Sequence, residues 1–168
     1  KTVDNRIDYI DGSDLIGQNT IETEILNGES RSYGLEILFR KALGNFTGWI
    51  AYTASKAEQR TLGGNAGGPG INNGDWYNAV QDRTHDVSII GSYQLNQKWS
   101  FGAAFVYQTG RPVTYPNGQY EYEGLSIANY SERNADRLPS YHRFDISATY
   151  LPNKKPNNRW RGEWVFGI

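Results

Sequence analysis

The chain has 168 residues with a formal net charge of −1, enough for one ordinary domain and no electrostatic case for a nucleic-acid partner. Mean hydropathy is −0.68 and no apolar run approaches the roughly 20 residues of a membrane helix. That excludes a helical membrane protein but not a barrel, in which only alternate strand residues face lipid. Cysteine is absent, which rules out a disulfide framework and a thiolate metal site. Methionine is absent as well. No secretory leader is recognisable, and both ends read as mid-strand, so the expectation is a piece of a longer protein.

Taken in chain order, residues 3–10 read as the outer end of a strand, followed by a polar loop over 11–25. Residues 30–43 alternate Tyr33, Leu35, Ile37 and Phe39 with Gly34, Glu36, Leu38 and Arg40, the period of a strand with two unlike faces. Gly44-Asn45 marks a tight turn. Residues 46–57 return, with Phe46, Gly48, Ile50 and Tyr52 on one face and Thr47, Trp49, Ala51 and Thr53 on the other. Trp49 is the misfit on that second face. Residues 58–82 read as a long loop whose glycine-rich centre cannot hold regular structure. It lacks the Lys-Ser/Thr ending of a phosphate loop, and no helix follows.

The strand over 84–95 alternates Val87, Ile89, Gly91, Tyr93 and Leu95 with Asp86, Ser88, Ile90, Ser92 and Gln94. Asn96-Gln97 turns it. The strand from Trp99 to about Tyr115 sets Trp99, Phe101, Ala103, Phe105 and Tyr107 against Ser100, Gly102, Ala104, Val106 and Gln108. A second long loop is expected over 116–139. The strand over 141–151 sets His142, Phe144, Ile146, Ala148 and Tyr150 against Arg143, Asp145, Ser147 and Thr149. After a turn over 152–158, Trp160, Gly162, Trp164 and Phe166 open a last strand.

Three features converge. Each strand has a large apolar or aromatic face and a small or polar one. Short turns fall at one end and long loops at the other, the layout of an outer-membrane barrel. Aromatics cluster near the short turns, where Tyr and Trp sit at a membrane–water boundary. The fold class expected is therefore all-β, an antiparallel transmembrane β-barrel segment of about seven strands. An open sheet edge is not tolerated in lipid, so closure needs further strands.

Five stretches carry a resemblance: Ser32-Tyr33-Gly34-Leu35-Glu36, Thr47-Gly48-Trp49-Ile50-Ala51-Tyr52-Thr53, Asp82-Arg83-Thr84-His85-Asp86-Val87-Ser88, Tyr107-Gln108-Thr109-Gly110-Arg111-Pro112-Val113-Thr114 and Leu138-Pro139-Ser140-Tyr141-His142-Arg143-Phe144-Asp145-Ile146-Ser147. In this order and across nearly the whole chain, they resemble the C-terminal part of a TonB-dependent outer-membrane receptor of the Bacteroidota type. The resemblance implies that residues 1–168 belong to a barrel of about 22 strands with a plugged lumen. It also implies energy-dependent uptake of a scarce solute (an iron chelate, a cobalamin, a peptide or a glycan) in the bacterial outer membrane. The implied partners are outer-membrane lipid and lipopolysaccharide, the TonB complex through a plug domain outside this chain, the solute, and a surface lipoprotein over the barrel. The rival readings are a small eight-stranded anchor or adhesin and a soluble carbohydrate-binding β module.

Site candidates follow from the faces and loops. Glu36, Arg40, Asp86, Arg143 and Asp145 are expected to face the lumen, where water or a plug tolerates charge. Phe46, Tyr93, Trp99, Phe101, Phe105, Tyr150, Trp160 and Trp164 are expected to face lipid and its aromatic girdle. The long loops hold Trp76, Tyr77, Tyr115, Tyr120, Tyr122, Tyr130, Arg111, Arg133 and Arg137, and Tyr, Trp and Arg are favoured contact residues in binding sites. Of these, Trp76, Tyr77, Arg111, Tyr120, Tyr122 and Arg133 are the expected ligand contacts. His85 and His142 are the only histidines, too few for a metal site that needs three or more convergent ligands. No nucleophile, base and orienting group share a spacing logic, so neither catalysis nor a cofactor is expected.

Overall fold

The computed structural model describes residues 1–9, 25–63, 68–130, 132–152 and 162–168. The strands are β1 (Thr2–Tyr9), β2 (Ile25–Lys41), β3 (Phe46–Thr61), β4 (Tyr77–Asn78), β5 (His85–Gln94), β6 (Trp99–Gln108), β7 (Pro112–Val113), β8 (Pro116–Tyr122), β9 (Leu125–Tyr130), β10 (Asp136–Arg137), β11 (Tyr141–Tyr150) and β12 (Trp164–Gly167), with one 3-10 turn over Ile71–Gly74. The main sheet runs β1-β2-β3-β5-β6-β11-β12, with β4 added beside β3. No described helix is long and apolar enough to cross a membrane. The expected all-β antiparallel architecture is thus the observed one, with seven strands along one path.

The described residues divide into two compact units. The wall unit comprises Leu35–Ala54, Thr84–Thr109 and Ser140–Ile168. Its pairing sets the faces, because residues directly opposite in an antiparallel sheet share one. One face carries the rows Phe46–Tyr93–Phe101–Ala148–Phe166, Ile50–Ile89–Phe105–Phe144 and Tyr52–Val87–Tyr107–His142. The row nearest the short turns is Trp99–Tyr150–Trp164. The other face carries Thr47–Ser92–Gly102–Ser147–Gly167 and Thr53–Asp86–Gln108–Tyr141. Trp49 falls opposite Ile90, which is opposite Ala104. The misfit tryptophan therefore lies in a small apolar island on the polar face.

The wall has no buried apolar side chain among its described residues. Phe101, Phe144 and Phe166 are 41%, 63% and 56% exposed. In a water-soluble sheet such rings would be packed away. Two short connections suit the residues predicted for them. Gly44 adopts φ +97°, which costs any other L-residue strain. The Asn96 side-chain oxygen accepts from the backbone N–H groups of Lys98 and Trp99 at 2.8 and 2.9 Å, closing the β5–β6 turn.

The loop unit comprises Lys1–Gly34, Ser55–Arg83 and Gly110–Pro139, and it holds the buried apolar cluster Leu26, Ile71 and Tyr77. Here the structure corrects the expected boundaries. β2 starts at Ile25 and β3 continues to Thr61, so both strands run further than their faces of alternating hydrophobicity. The backbone ladder propagates wherever a neighbour offers partners, whatever the side-chain pattern. β6 ends at Gln108, and the short β7 pairs with β10.

Residues 116–139, expected as a loop, contain the hairpin β8–β9. Its tip, Glu123-Gly124, has φ values of 49° and 80°, the positive pair that matches the twist of two flanking strands. The alternation of Tyr120 and Tyr122 with Gln119 and Glu121 carried the signal. Its Asn, Gly and Glu content masked it. Of the loop expected over 11–25 and the turn expected over 152–158, residues 11–24 and 153–158 lie outside the described residues.

Candidate functional site

The loop unit is held by polar side chains rather than by a large core. Asp8 at the end of β1 accepts from Gln59 Nε2 at 3.3 Å, from the Tyr77 hydroxyl at 3.1 Å and from Arg133 Nη1 at 3.3 Å. Thr61 Oγ1 is 3.0 Å from that hydroxyl. Two asparagine clamps tie residues 71–78 to residues 133–134. Asn72 Nδ2 donates to the Arg133 carbonyl at 3.0 Å while its Oδ1 accepts from the Arg133 N–H at 2.8 Å. Asn134 Nδ2 donates to the Asn78 carbonyl at 2.8 Å, and Asn78 Nδ2 donates to the Asn134 carbonyl at 3.3 Å.

The third tie is Asp82. Its side chain is fully buried and accepts from the Ala57 N–H at 2.5 Å and from Arg137 Nη2. Arg137 Nη1 also donates to the Gly110 carbonyl at 3.0 Å. Trp76 lies under two guanidinium groups, Arg31 at 4.1 Å and Arg60 at 5.0 Å from the ring centroid. Each cation is in turn paired, Arg31 with Glu58 at 2.8 Å and Arg60 with Glu29 at 2.9 Å.

This network sorts the loop candidates. Tyr77 is 6% exposed, and its ring and hydroxyl are committed inside the unit. Trp76 packs against Arg31 of β2 and Arg60 of β3, Arg133 reaches Asp8 of β1, and Arg137 ties Asp82 to Gly110. Arg111, Tyr120 and Tyr122 are exposed, the two tyrosines at 53% and 59% on one face of β8–β9 opposite Ile127 and Leu125. Sequence reasoning missed Asp8, Gln59, Thr61, Asn72, Asn78 and Asn134 altogether. Their roles come from partners 16 to 125 positions away, for which no local pattern exists. Asp82 stood at the head of one of the quoted stretches without a role.

Burial pushes the Tyr77 phenol above its ordinary pKa, the Asp8 carboxylate adds to the rise, and the Thr61 hydrogen bond opposes it. A raised folded-state pKa means the folded unit keeps the phenolic proton longer than the unfolded chain does. The resulting stability is complete below the unfolded value of about 10 and is lost as pH rises through the folded one. Tyr77→Phe should therefore remove part of the loss of loop-unit stability above pH ~10, read by hydrogen exchange of the amides of residues 77–82 across an alkaline series.

On the wall, Asp86 accepts from Gln108 Nε2 at 2.8 Å. Arg143 and Asp145, two apart on one face of β11, pair at 2.8 Å. Glu36 and Arg40 are exposed on β2. The pairing places Asp86 and Gln108 on one face and Phe46, Tyr93, Phe101, Phe105 and Tyr150 on the opposite one. Trp164 joins the latter set through Tyr150. Trp160 lies outside the described residues. His85 Nδ1 is 2.9 Å from the Tyr52 hydroxyl, with the two rings stacked, while His142 lies opposite Tyr107. Among the described residues no three His, Asp or Glu side chains converge.

The wall unit is a sheet apolar on one surface and polar on the other, and the loop unit is cross-braced by polar side chains. No curated protein and no solved structure matches the chain. The family model described as TonB dependent receptor-like, beta-barrel matches residues 1–167. The chain belongs to the TonB-dependent receptor-like β-barrel family, and it is a β-barrel part of a bacterial outer-membrane receptor.

Proposed function

We propose that these residues form the wall and ligand-capturing loops of a receptor of the Bacteroidota type that imports one scarce solute against its gradient. The observation that carries the reading is the inverted wall: aromatic rows on an exposed face, hydroxyl, amide and charged groups on the other, and no buried core between them. Such a sheet is stable where lipid covers the first surface and water or a plug covers the second.

Glu36, Arg40, Asp86, Arg143 and Asp145 then line the lumen of a barrel of about 22 strands. Phe46, Tyr93, Trp99, Phe101, Phe105, Tyr150, Trp160 and Trp164 meet lipid and its boundary. Arg111, Tyr120 and Tyr122 are among the exposed loop side chains that can touch solute, lipopolysaccharide or a capping surface lipoprotein. The free-energy source is the TonB complex, acting on a plug domain. Members of the family are transporters rather than enzymes.

The test is uptake by cells carrying the intact receptor, challenged separately with a ferric chelate, cobalamin, a peptide mixture and an oligosaccharide mixture. One class should accumulate, and accumulation should vanish without TonB. Replacing residues 116–130 by Gly-Gly should abolish it while assembled receptor persists, since only exposed loop surface is removed. Uptake that is indifferent to TonB would overturn the proposal.

A further inference from the structure

The wall unit has a dent on its aromatic face. Its floor is made by Gly91 and Ala103, opposite one another on β5 and β6, and by Ala148 on β11. Its rim is Phe46, Tyr93, Phe101, Ile146, Phe166 and Ile168. The open volume is about 630 Å³, and the lining is almost wholly apolar. The dent exists because the sequence puts small side chains in a row between two rows of large ones. Below it runs Phe46–Tyr93–Phe101 and above it Ile50–Ile89–Phe105. The Phe46 ring already leans over Gly91, where an added Cβ would meet it at 3.4 Å. A side chain at 91 would have to share that space.

We propose that this dent is a slot for one acyl chain of a glycerophospholipid from the periplasmic leaflet. The proposal rests on the lipid-facing reading of the aromatic face. The bilayer supplies the occupant, because the slot is continuous with the surface that meets lipid in an outer-membrane protein. Its height selects the leaflet. The row Trp99–Tyr150–Trp164 lies one step closer to the short turns, and the Trp99 ring is 4.6 Å from that of Tyr150. Such a belt marks the boundary with headgroups, and short turns are periplasmic. A chain in the slot therefore rises from a headgroup beside that belt, on the leaflet made of phospholipid rather than lipopolysaccharide. Tails and side chains are equally apolar, so close packing rather than expulsion of water would hold it.

The test uses the intact receptor in mild detergent, with phospholipid counted by native mass spectrometry as detergent is raised. The parent should keep one phospholipid after the rest are stripped. Ala103→Trp, which fills the floor, should lower that retention about tenfold because most packing contacts go with the space. Ile89→Trp, on the same face but outside the slot, should leave it unchanged. A parent that keeps no phospholipid, or an Ala103→Trp receptor that keeps it, overturns the slot. The facing is tested separately by Phe105→Arg. If that variant fails to enter the membrane while Ala103→Trp keeps its lipid, the face reading stands and the slot falls. If Phe105→Arg assembles normally, the face reading falls and the slot with it.

Discussion

Phe105→Arg should abolish assembly of the receptor in the outer membrane. Phe105 is central in β6, opposite Ile89 on β5 and Phe144 on β11, and those neighbours are 39% and 63% exposed on the same face. An arginine on the lipid side near mid-bilayer costs about 2–4 kcal/mol. Loss of the ring's packing against its two neighbours adds to that cost. The sum is a large fraction of the 5–15 kcal/mol that typically separates folded from unfolded protein. Ala104→Arg, one residue along, places the same charge on the face of Asp86 and Asp145 and should assemble near the parental level. The pair is read by heat-modifiable mobility of the outer-membrane fraction on a gel. Equal assembly of the two variants would show that both faces meet the same medium.

Asp82→Ala should unfasten the loop unit. The carboxylate is fully buried, caps the Ala57 N–H and holds Arg137. Its removal leaves one orphan backbone donor and a cation 27% exposed, whose other bond runs to a backbone carbonyl. Breaking a buried pair from one side costs about 3–5 kcal/mol, and the lower end applies because Arg137 reaches water. The wall rows of β5, β6 and β11 share none of these bonds. The expected outcome is a normally assembled receptor whose residues 110–139 become protease-sensitive in whole cells. The double change Asp82→Ala with Arg137→Leu should recover part of the loss by removing the stranded charge. If single and double variants are equally sensitive, the tie is not an ion pair in effect.

The two results separate what local pattern can specify from what it cannot. The wall could be read in advance because a strand has a period of 2, and a sheet between unlike media must alternate at that period. Phe101, Ala103 and Phe105 against Gly102, Ala104 and Val106 carry the message without a partner in view. So do Gly44 and Asn96, whose turn chemistry acts within four residues. The loop unit follows no such period. Asp8, Gln59, Tyr77 and Arg133 are scattered over 125 positions, and each alone looks like a solvated polar residue.

The amino-acid sequence by itself determined the alternation of two unlike faces along the wall strands, the short turns and membership of an outer-membrane barrel family. It did so because alternation and turn preference are properties of neighbours along the chain. Only the tertiary structure decided which long-loop residues are braces and which are free. Trp76, Tyr77 and Arg133 were candidates for ligand contact, and Arg137 stood with them in the long loops. The fold commits them to Arg31 and Arg60, to Thr61 and Asp8, to Asp8, and to Asp82. Arg111, Tyr120 and Tyr122 remain at the surface. The physical reason is that desolvation is a property of position in space: a polar side chain acts as a brace once the folded chain has taken away its water and supplied its partner.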